Sequence, residues 1–417
     1  MLVSGKRGGV ILKSRDYVLL KSLYYDHKEE YEALYDSRFN SDECVHLNFT
    51  VAGNPAFFME TPALIKKVVE ISRLDKDIFR LSRDLPGIAL KQYINKCLID
   101  EIVITNNIEG VHSTRKEISE ILDDLEGKSD KRFFGLVNKY NALISGNHLS
   151  IKDSHDIRAL YDEMFLPEII EENPKDEPDG KIFRKEHIDI VDPTQKVIHH
   201  GLYPENKIIE SMNDAVDILN DTGIDPLFRI SIFHYLFGYI HPFYNGNGRL
   251  NRFISSYYLA NTLESIMGYR LSYTIKENIS RYYRSFKLVN EEINRGDITP
   301  FIFTYLEFIK ESAVNLRDSL TDKNRHLKVF TGQLVNLPHG DEEKYGYLYF
   351  LLLQASLFSE IGITTKELLQ CLQISRPTLQ KRLSEIDKSC NLLITEKRDS
   401  NKFYRLNLEV FAEMTKK

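Results

Sequence analysis

The stretch HPFYNGNGRLNR, His241–Arg252, sets one histidine, two glycines and two arginines within twelve residues, directly after the apolar run PLFRISIFHYLFGYI. Gly246 and Gly248 lack a Cβ, so the backbone there can turn sharply and approach an anion closely. A helix beginning near Asn247 points its first N–H groups, the positive end of its dipole, into that turn. Arg249 and Arg252 fall on one face of the helix, where two guanidiniums suit neighbouring phosphates. His241, just ahead of the turn, is placed to take a proton from an incoming hydroxyl. Taken singly, Gly-Asn-Gly is an ordinary turn, and a histidine after an apolar helix is a satisfied core residue. Together they describe a polyphosphate held at a helix N-terminus beside a base. The spacing is not that of a Walker loop, GxxxxGK[ST], since no lysine follows.

The rest of the chain narrows the class. Its 417 residues suit two or three domains, and 42% hydrophobic with 28% charged residues is ordinary for a soluble globular protein. A net charge of −6 argues against a nucleic-acid coat and leaves room for one basic module. Cys44, Cys97, Cys371 and Cys390 form no CxxC pair, so they read as reduced, buried thiols of a cytoplasmic protein. GYLYFLLLQASLF, from Gly346, is too short to span a bilayer, and GGVILK near the N-terminus is too short for a signal segment. No membrane partner is expected.

Helical periodicity governs most of the chain. ALIKKVVEISRLDKDIF places Leu64, Val68, Ile71, Leu74 and Ile78 on one stripe, and YINKCLIDEIVITNNIEG ends at Gly110 with a glycine stop. SHDIRALYDEMF, NKIIESMNDAVDILND and RLNRFISSYYLANTLES read as helices, as do residues 274–312. ENPKDEPDG reads as a loop, and KIFRKEHIDIVDPTQKVIHHGLYP as a β-hairpin about DPTQ. NLPHGDEEKYG, from Asn336, is the best linker. In the tail, TTKELLQCLQISRPTLQKRLSEI gives two short helices with Thr364 and Ser375 as N-caps, and LLITEKRDSNKFYRLNL gives two strands about DSN. Helix, turn, helix, hairpin is the winged-helix pattern.

HPFYNGNGRLNR resembles the signature of the Fic family, HxFx(D/E)GNGRxxR, and departs from it only at Asn245. The resemblance covers roughly 95–300. It implies a mainly α fold: a Fic-type helical bundle with a small β-hairpin flap, followed here by a winged-helix domain. It implies transfer of AMP from ATP to a hydroxyl of a target protein, with His241 as general base and Phe243 anchoring the loop. Gly246, Asn247 and Gly248 would cradle the α- and β-phosphates, with Arg249 on the β-phosphate and Arg252 on the γ-phosphate. The family acid at position 245 holds Mg²⁺. Asn245 offers an uncharged oxygen that binds the ion more weakly, so Asn245→Asp is expected to raise magnesium-dependent labelling.

TNNIEGVHST carries Thr105, Glu109 and Gly110 in the pattern [S/T]xxxE[G/N], which alone is an ordinary helix end. Beside the signature it resembles the inhibitory helix of the family class with an N-terminal inhibitor, implying such a helix at about 101–112 with Glu109 paired to Arg252. The hairpin at about 182–203 matches the flap that clamps a target segment as an added strand. Val197, Ile198, His199 and His200 would line its nucleotide side; the paired histidines lack an acidic or cysteine partner at metal-ligand spacing. RYYRSFKLVN resembles the segment closing over adenine, with Tyr282, Tyr283 and Asn290 as contacts, though a tyrosine pair equally suits a core. The expected divisions are a helical region at 1–94, the Fic core at 95–300, a helix and linker at 301–342 and the winged-helix domain at 343–417.

From Lys344 to the end there are twelve Lys and Arg against eight Asp and Glu. Arg376, Lys381 and Arg382 on the second tail helix, and Lys397, Arg398 and Lys402 on the wing, suit DNA phosphates or a solvated face of a protein-interaction module. Two functions stand. One is a self-inhibited adenylyltransferase acting on a Ser, Thr or Tyr hydroxyl, with reversal of the modification at the same site as its variant. The other is a nucleotide-sensing DNA-binding regulator. The expected cofactors are ATP and Mg²⁺, and a homodimer is left open.

Overall fold

The run Pro226–Ile240 has no polar face, and a helix apolar all round must be covered on every side. That requirement organises the larger part of the structure, a computed structural model describing residues 17–125, 131–143, 149–191, 197–398 and 401–415. Two compact units form, Met1–Asp75 with Asp100–Ala313, and Lys76–Ile99 with Val314–Lys417. These divisions differ from those expected at 94/95, 300/301 and 342/343. Continuous helix passes through each of them, so no break in composition marks them in the sequence.

In chain order come α1 (Lys21–Tyr24), α2 (Lys28–Phe39), β1 (Cys44–Val51), β2 (Asn54–Met59), α3 (Pro62–Arg83) and α4 (Gly87–Ile108). Then follow α5 (Arg115–Leu122), α6 (Phe134–Ala142), α7 (Ser154–Met164), α8 (Leu166–Glu172), β3 (Asp189–Val191) and β4 (Val197–His200). The helices α9 (Glu205–Asn220), α10 (Pro226–Ile240), α11 (Asn247–Thr262), α12 (Leu271–Glu277), α13 (Ile279–Asn290) and α14 (Thr299–Gln333) come next. The chain ends with α15 (Glu343–Phe358), β5 (Ile363–Thr364), α16 (Thr365–Leu372), α17 (Arg376–Cys390), β6 (Leu393–Arg398), β7 (Asn401–Leu406) and α18 (Leu408–Thr415).

In the first unit α10 packs between α9 and α11. Phe228, Ile232, Leu236, Phe237 and Ile240 are fully buried, each stabilising the fold by about 1.5–3 kcal/mol relative to exposure. The α3 stripe holds: Leu64, Ile71, Leu74 and Ile78 are buried and Val68 half-buried. The region expected to be helical at 1–94 instead contains the antiparallel hairpin β1–β2. Ala52 and Gly53 both take left-handed backbone, the geometry of a two-residue hairpin turn, and β1 alternates buried Leu47, Phe49 and Val51 with exposed neighbours. The flap strands β3 and β4 pair antiparallel, while the DPTQ turn lies outside the described residues.

The second unit contains a three-stranded sheet of order β5-β7-β6 beside α15, α16 and α17. Both expected caps form, Thr364 in a capping box with Glu367 and Ser375 accepting from the Thr378 N–H. The expected linker NLPHGDEEKYG is a packed connection inside this unit: Leu337 is buried and the Tyr349 hydroxyl donates to the Pro338 carbonyl. Among the described thiols Cys97 is buried and Cys44 and Cys371 are half-buried; the Cys390 side chain lies outside the described residues. Among the described residues no helix is long and apolar enough to cross a membrane.

Candidate active site

α10 ends on His241, whose backbone is left-handed at φ 53, and α11 starts behind Gly246 at φ 80. A residue with a Cβ is disfavoured at both, so the loop between must be held by its contacts. Phe243 is one anchor. Its fully buried ring stacks on Tyr161 at 3.7 Å and meets Phe183 edge-on at 5.3 Å. Asn247 is the other: its side-chain oxygen accepts from the Phe243 N–H at 2.9 Å and its amide donates back to the Phe243 carbonyl at 2.7 Å. The Asn247 side chain thus staples the loop, leaving its main chain to face the pocket.

A cavity of about 250 Å³ opens over this turn, and His241, Asn247, Gly248, Arg252, Tyr282 and Tyr283 all line it. Glu109 enters from the end of α4. Its carboxylate lies 2.8 Å from Arg252 Nη2 and fills the space over Gly248, where an added Cβ would come within 2.1 Å of Glu109 Oε1. Thr105 completes the grip on the buried Arg252. Its hydroxyl accepts from Nε at 2.8 Å and its carbonyl from Nη2 at 3.0 Å. Burial works most strongly against the Arg252 charge, and Glu109 together with Tyr282 and Tyr283 more than offsets it, so its proton is held more tightly than usual. The cavity is smaller than the roughly 300–1,000 Å³ typical of small-molecule sites, with a carboxylate seated at the helix N-terminus where an anionic ligand would bind.

His241 is half-buried and faces the pocket. Burial lowers its pKa to about 4, with Glu109 opposing and Arg184 adding to the shift, so the imidazole is neutral near pH 7. Behind Arg252, fully buried His234 joins Ser255 and Tyr282 through its two ring nitrogens at 2.8 Å each. The Tyr282 hydroxyl is therefore committed to the core while its ring lines the pocket. Asn290 also lines it, its side-chain oxygen accepting from the Tyr235 hydroxyl at 2.7 Å.

Other expected site residues lie elsewhere. Arg249 is fully buried behind the loop, bonded to Glu168 at 2.6 Å and stacked over Phe165, away from the pocket wall. Among the described β4 side chains His199 lines the cavity, with its ring on Tyr239 and Nε2 2.8 Å from the Tyr239 carbonyl. Val197 and His200 are exposed off the wall, His200 bound to Asp189 at 2.6 Å, and the Ile198 side chain lies outside the description. The flap wall comes instead from Ile188, Asp189 and Ile190, which the sequence reading missed.

Magnesium would need hard oxygen donors free to reach the pocket. Asn245 is not on the cavity wall, its oxygen accepts from the Gly246 N–H at 2.6 Å and its nitrogen points at Asp176 at 3.3 Å. Among the described residues no group of three acidic, histidine or cysteine side chains gathers for an ion. With its oxygen on Gly246 and its nitrogen at Asp176, the Asn245 side chain as it stands does not fit the role of a metal ligand.

The glycine turn, the neutral histidine and the paired arginine lie within the stretch on which the comparisons with known proteins bear. The profile of the Fic/DOC family matches residues 152–259, and the chain carries a Fic/DOC domain there. Protein adenylyltransferase fic-1 of Caenorhabditis elegans is 35% identical over 98 residues, 23% of this chain and 18% of the relative. Protein adenylyltransferase Fic of Drosophila willistoni is 34% identical over 95 residues, 23% of this chain and 17% of the relative. The matches thus span less than a fifth of the length of these curated relatives. Among solved structures, a Fic family protein from Desulfovibrio desulfuricans aligns over 87% of this chain and 98% of its own, with 20% identity and TM-score 0.48.

Proposed function

We propose that this chain is a self-restrained protein adenylyltransferase that transfers AMP from ATP to a hydroxyl of a target protein. The observation that carries the reading is the Glu109 carboxylate, set on Arg252 and over Gly248 beside a neutral His241. In the released site the main chain at Asn247 and Gly248 and the Arg252 guanidinium hold the triphosphate. His241 takes the proton of the target hydroxyl, and the hydroxyl oxygen bonds the α-phosphorus. The bond to the β-phosphate oxygen breaks, and pyrophosphate leaves. Glu109 blocks this by taking the γ-phosphate's place on Arg252. The named relatives are adenylyltransferases, which supports the reading.

In the second unit we propose a winged-helix module serving protein interaction. Arg398 is paired with Glu396 at 2.6 Å and Arg382 donates to the Lys344 carbonyl, so both are drawn away from phosphate contact. Transfer of α-³²P-labelled ATP to lysate proteins tests the transferase reading. Glu109→Gly should raise labelling at least several-fold over wild type, and adding His241→Ala should abolish it. Equal labelling in all three would end the proposal.

A further inference from the structure

Arg184 belongs to none of the motifs named above, yet it is among the largest fully buried side chains of the described residues. Among the described residues its guanidinium donates only to main-chain carbonyls: Nε to His241 at 3.0 Å, Nη2 to Leu202 at 2.9 Å and Nη1 to Glu186. Its own N–H donates to the Pro242 carbonyl at 3.2 Å, and the Leu202 N–H donates to Ile240 at 3.1 Å. One side chain thus joins the residue before the glycine turn to both feet of the flap. Gly201 makes room for it, since a Cβ there would lie 2.4 Å from Arg184 Nη2.

We propose that Arg184 is the positioning residue that holds His241 toward the pocket and ties it to the base of the flap. This rests on the reading of His241 as general base. The His241 backbone is left-handed at φ 53, so it depends on outside bonds to stay there, and the one to its carbonyl comes from Arg184. A cation so placed also opposes protonation of the imidazole. The other charged or titratable groups around the imidazole are Glu109 from α4, Asp189 and His199 from the flap, Arg252 from α11, Tyr282 and Tyr283 from α13, and Tyr244 of its own loop. Of these, Glu109 favours the charged ring and His199 disfavours it. A buried arginine bonded only to carbonyls would serve packing alone if it had no effect on the imidazole, and that is measurable.

The test follows the His241 ring by ¹⁵N-histidine NMR in the full chain, without nucleotide or target, with His241→Ala giving the assignment. Arg184→Gln removes the charge, so the His241 midpoint should rise by about half a unit or more. Arg184→Lys keeps the charge but cannot reach three carbonyls. It should alter the ring shifts and, in a Glu109→Gly background, lower kcat at least about tenfold with KM for ATP within about twofold, since small misplacements near the reacting atoms are costly. Unchanged ring shifts in folded Arg184→Lys, or an unmoved midpoint in folded Arg184→Gln, overturns the proposal. Should Arg184→Gln fail to fold, Arg184→Lys decides alone. If no variant transfers AMP but the ring responds, the transferase reading falls and the positioning role stands.

Discussion

At position 245 an amide nitrogen faces a carboxylate, and this reverses what the family signature implies for that residue. Asn245 Nδ2 is 3.3 Å from Asp176 Oδ2 in a half-buried setting. Asn245→Asp replaces a donor by a second carboxylate against the first, and like charges that close disfavour one another. We expect thermal denaturation to show a loss of about 1 kcal/mol, recovered when Asp176→Asn is added. Magnesium-dependent labelling in a Glu109→Gly background should rise only in that double variant. A stable and more active single Asn245→Asp would remove Asp176 from the account. The same residue scale explains which groups were legible. His241, Glu109 and Arg252 announced themselves because their chemistry lies in short local patterns. Arg184 did not, because two of its three acceptors are carbonyls 57 and 18 residues away and any sequence supplies carbonyls.

The end of α4 acts as one piece. Glu101, Thr105 and Glu109 recur at four-residue steps, and Thr105 and Glu109 both hold Arg252. Thr105→Val keeps the shape and deletes the hydroxyl acceptor, while the carbonyl acceptor remains. Its expected cost to the restraint is about 1 kcal/mol, or roughly fivefold in the closed-to-open ratio. Labelling should therefore rise in Thr105→Val, by less than in Glu109→Gly. A wild-type rate in Thr105→Val beside a released Glu109→Gly would confine the restraint to the carboxylate. Helix ends such as this one were readable because glycine and cap residues act locally. The flap was only half readable. Its hairpin could be placed, but which strand walls the pocket depends on register, with Ile190 opposite His199 and an irregularity before Val191.

Across the whole molecule, composition located the basic tail but not the state of its charges. The tail folds as helix, turn, helix and hairpin, in line with the spacing of its caps and strands. Arg376, Lys381, Lys397 and Lys402 are exposed, whereas Arg382 and Arg398 are engaged within the unit. Each phosphate neutralised contributes about −0.9 to the slope of log affinity against log salt, so these four cations of the second helix and the wing together account for a slope of roughly −4. Fluorescence anisotropy of the full chain with a generic 30-base-pair duplex should then give a Kd weaker than about 10 μM at 150 mM salt, within the range of unspecific contact. Binding tighter than 1 μM, lost with Arg376→Ala and Lys381→Ala together, would assign the tail to DNA. It would also restore the regulator reading, because an exposed basic helix that holds duplex at physiological salt does more than meet another protein.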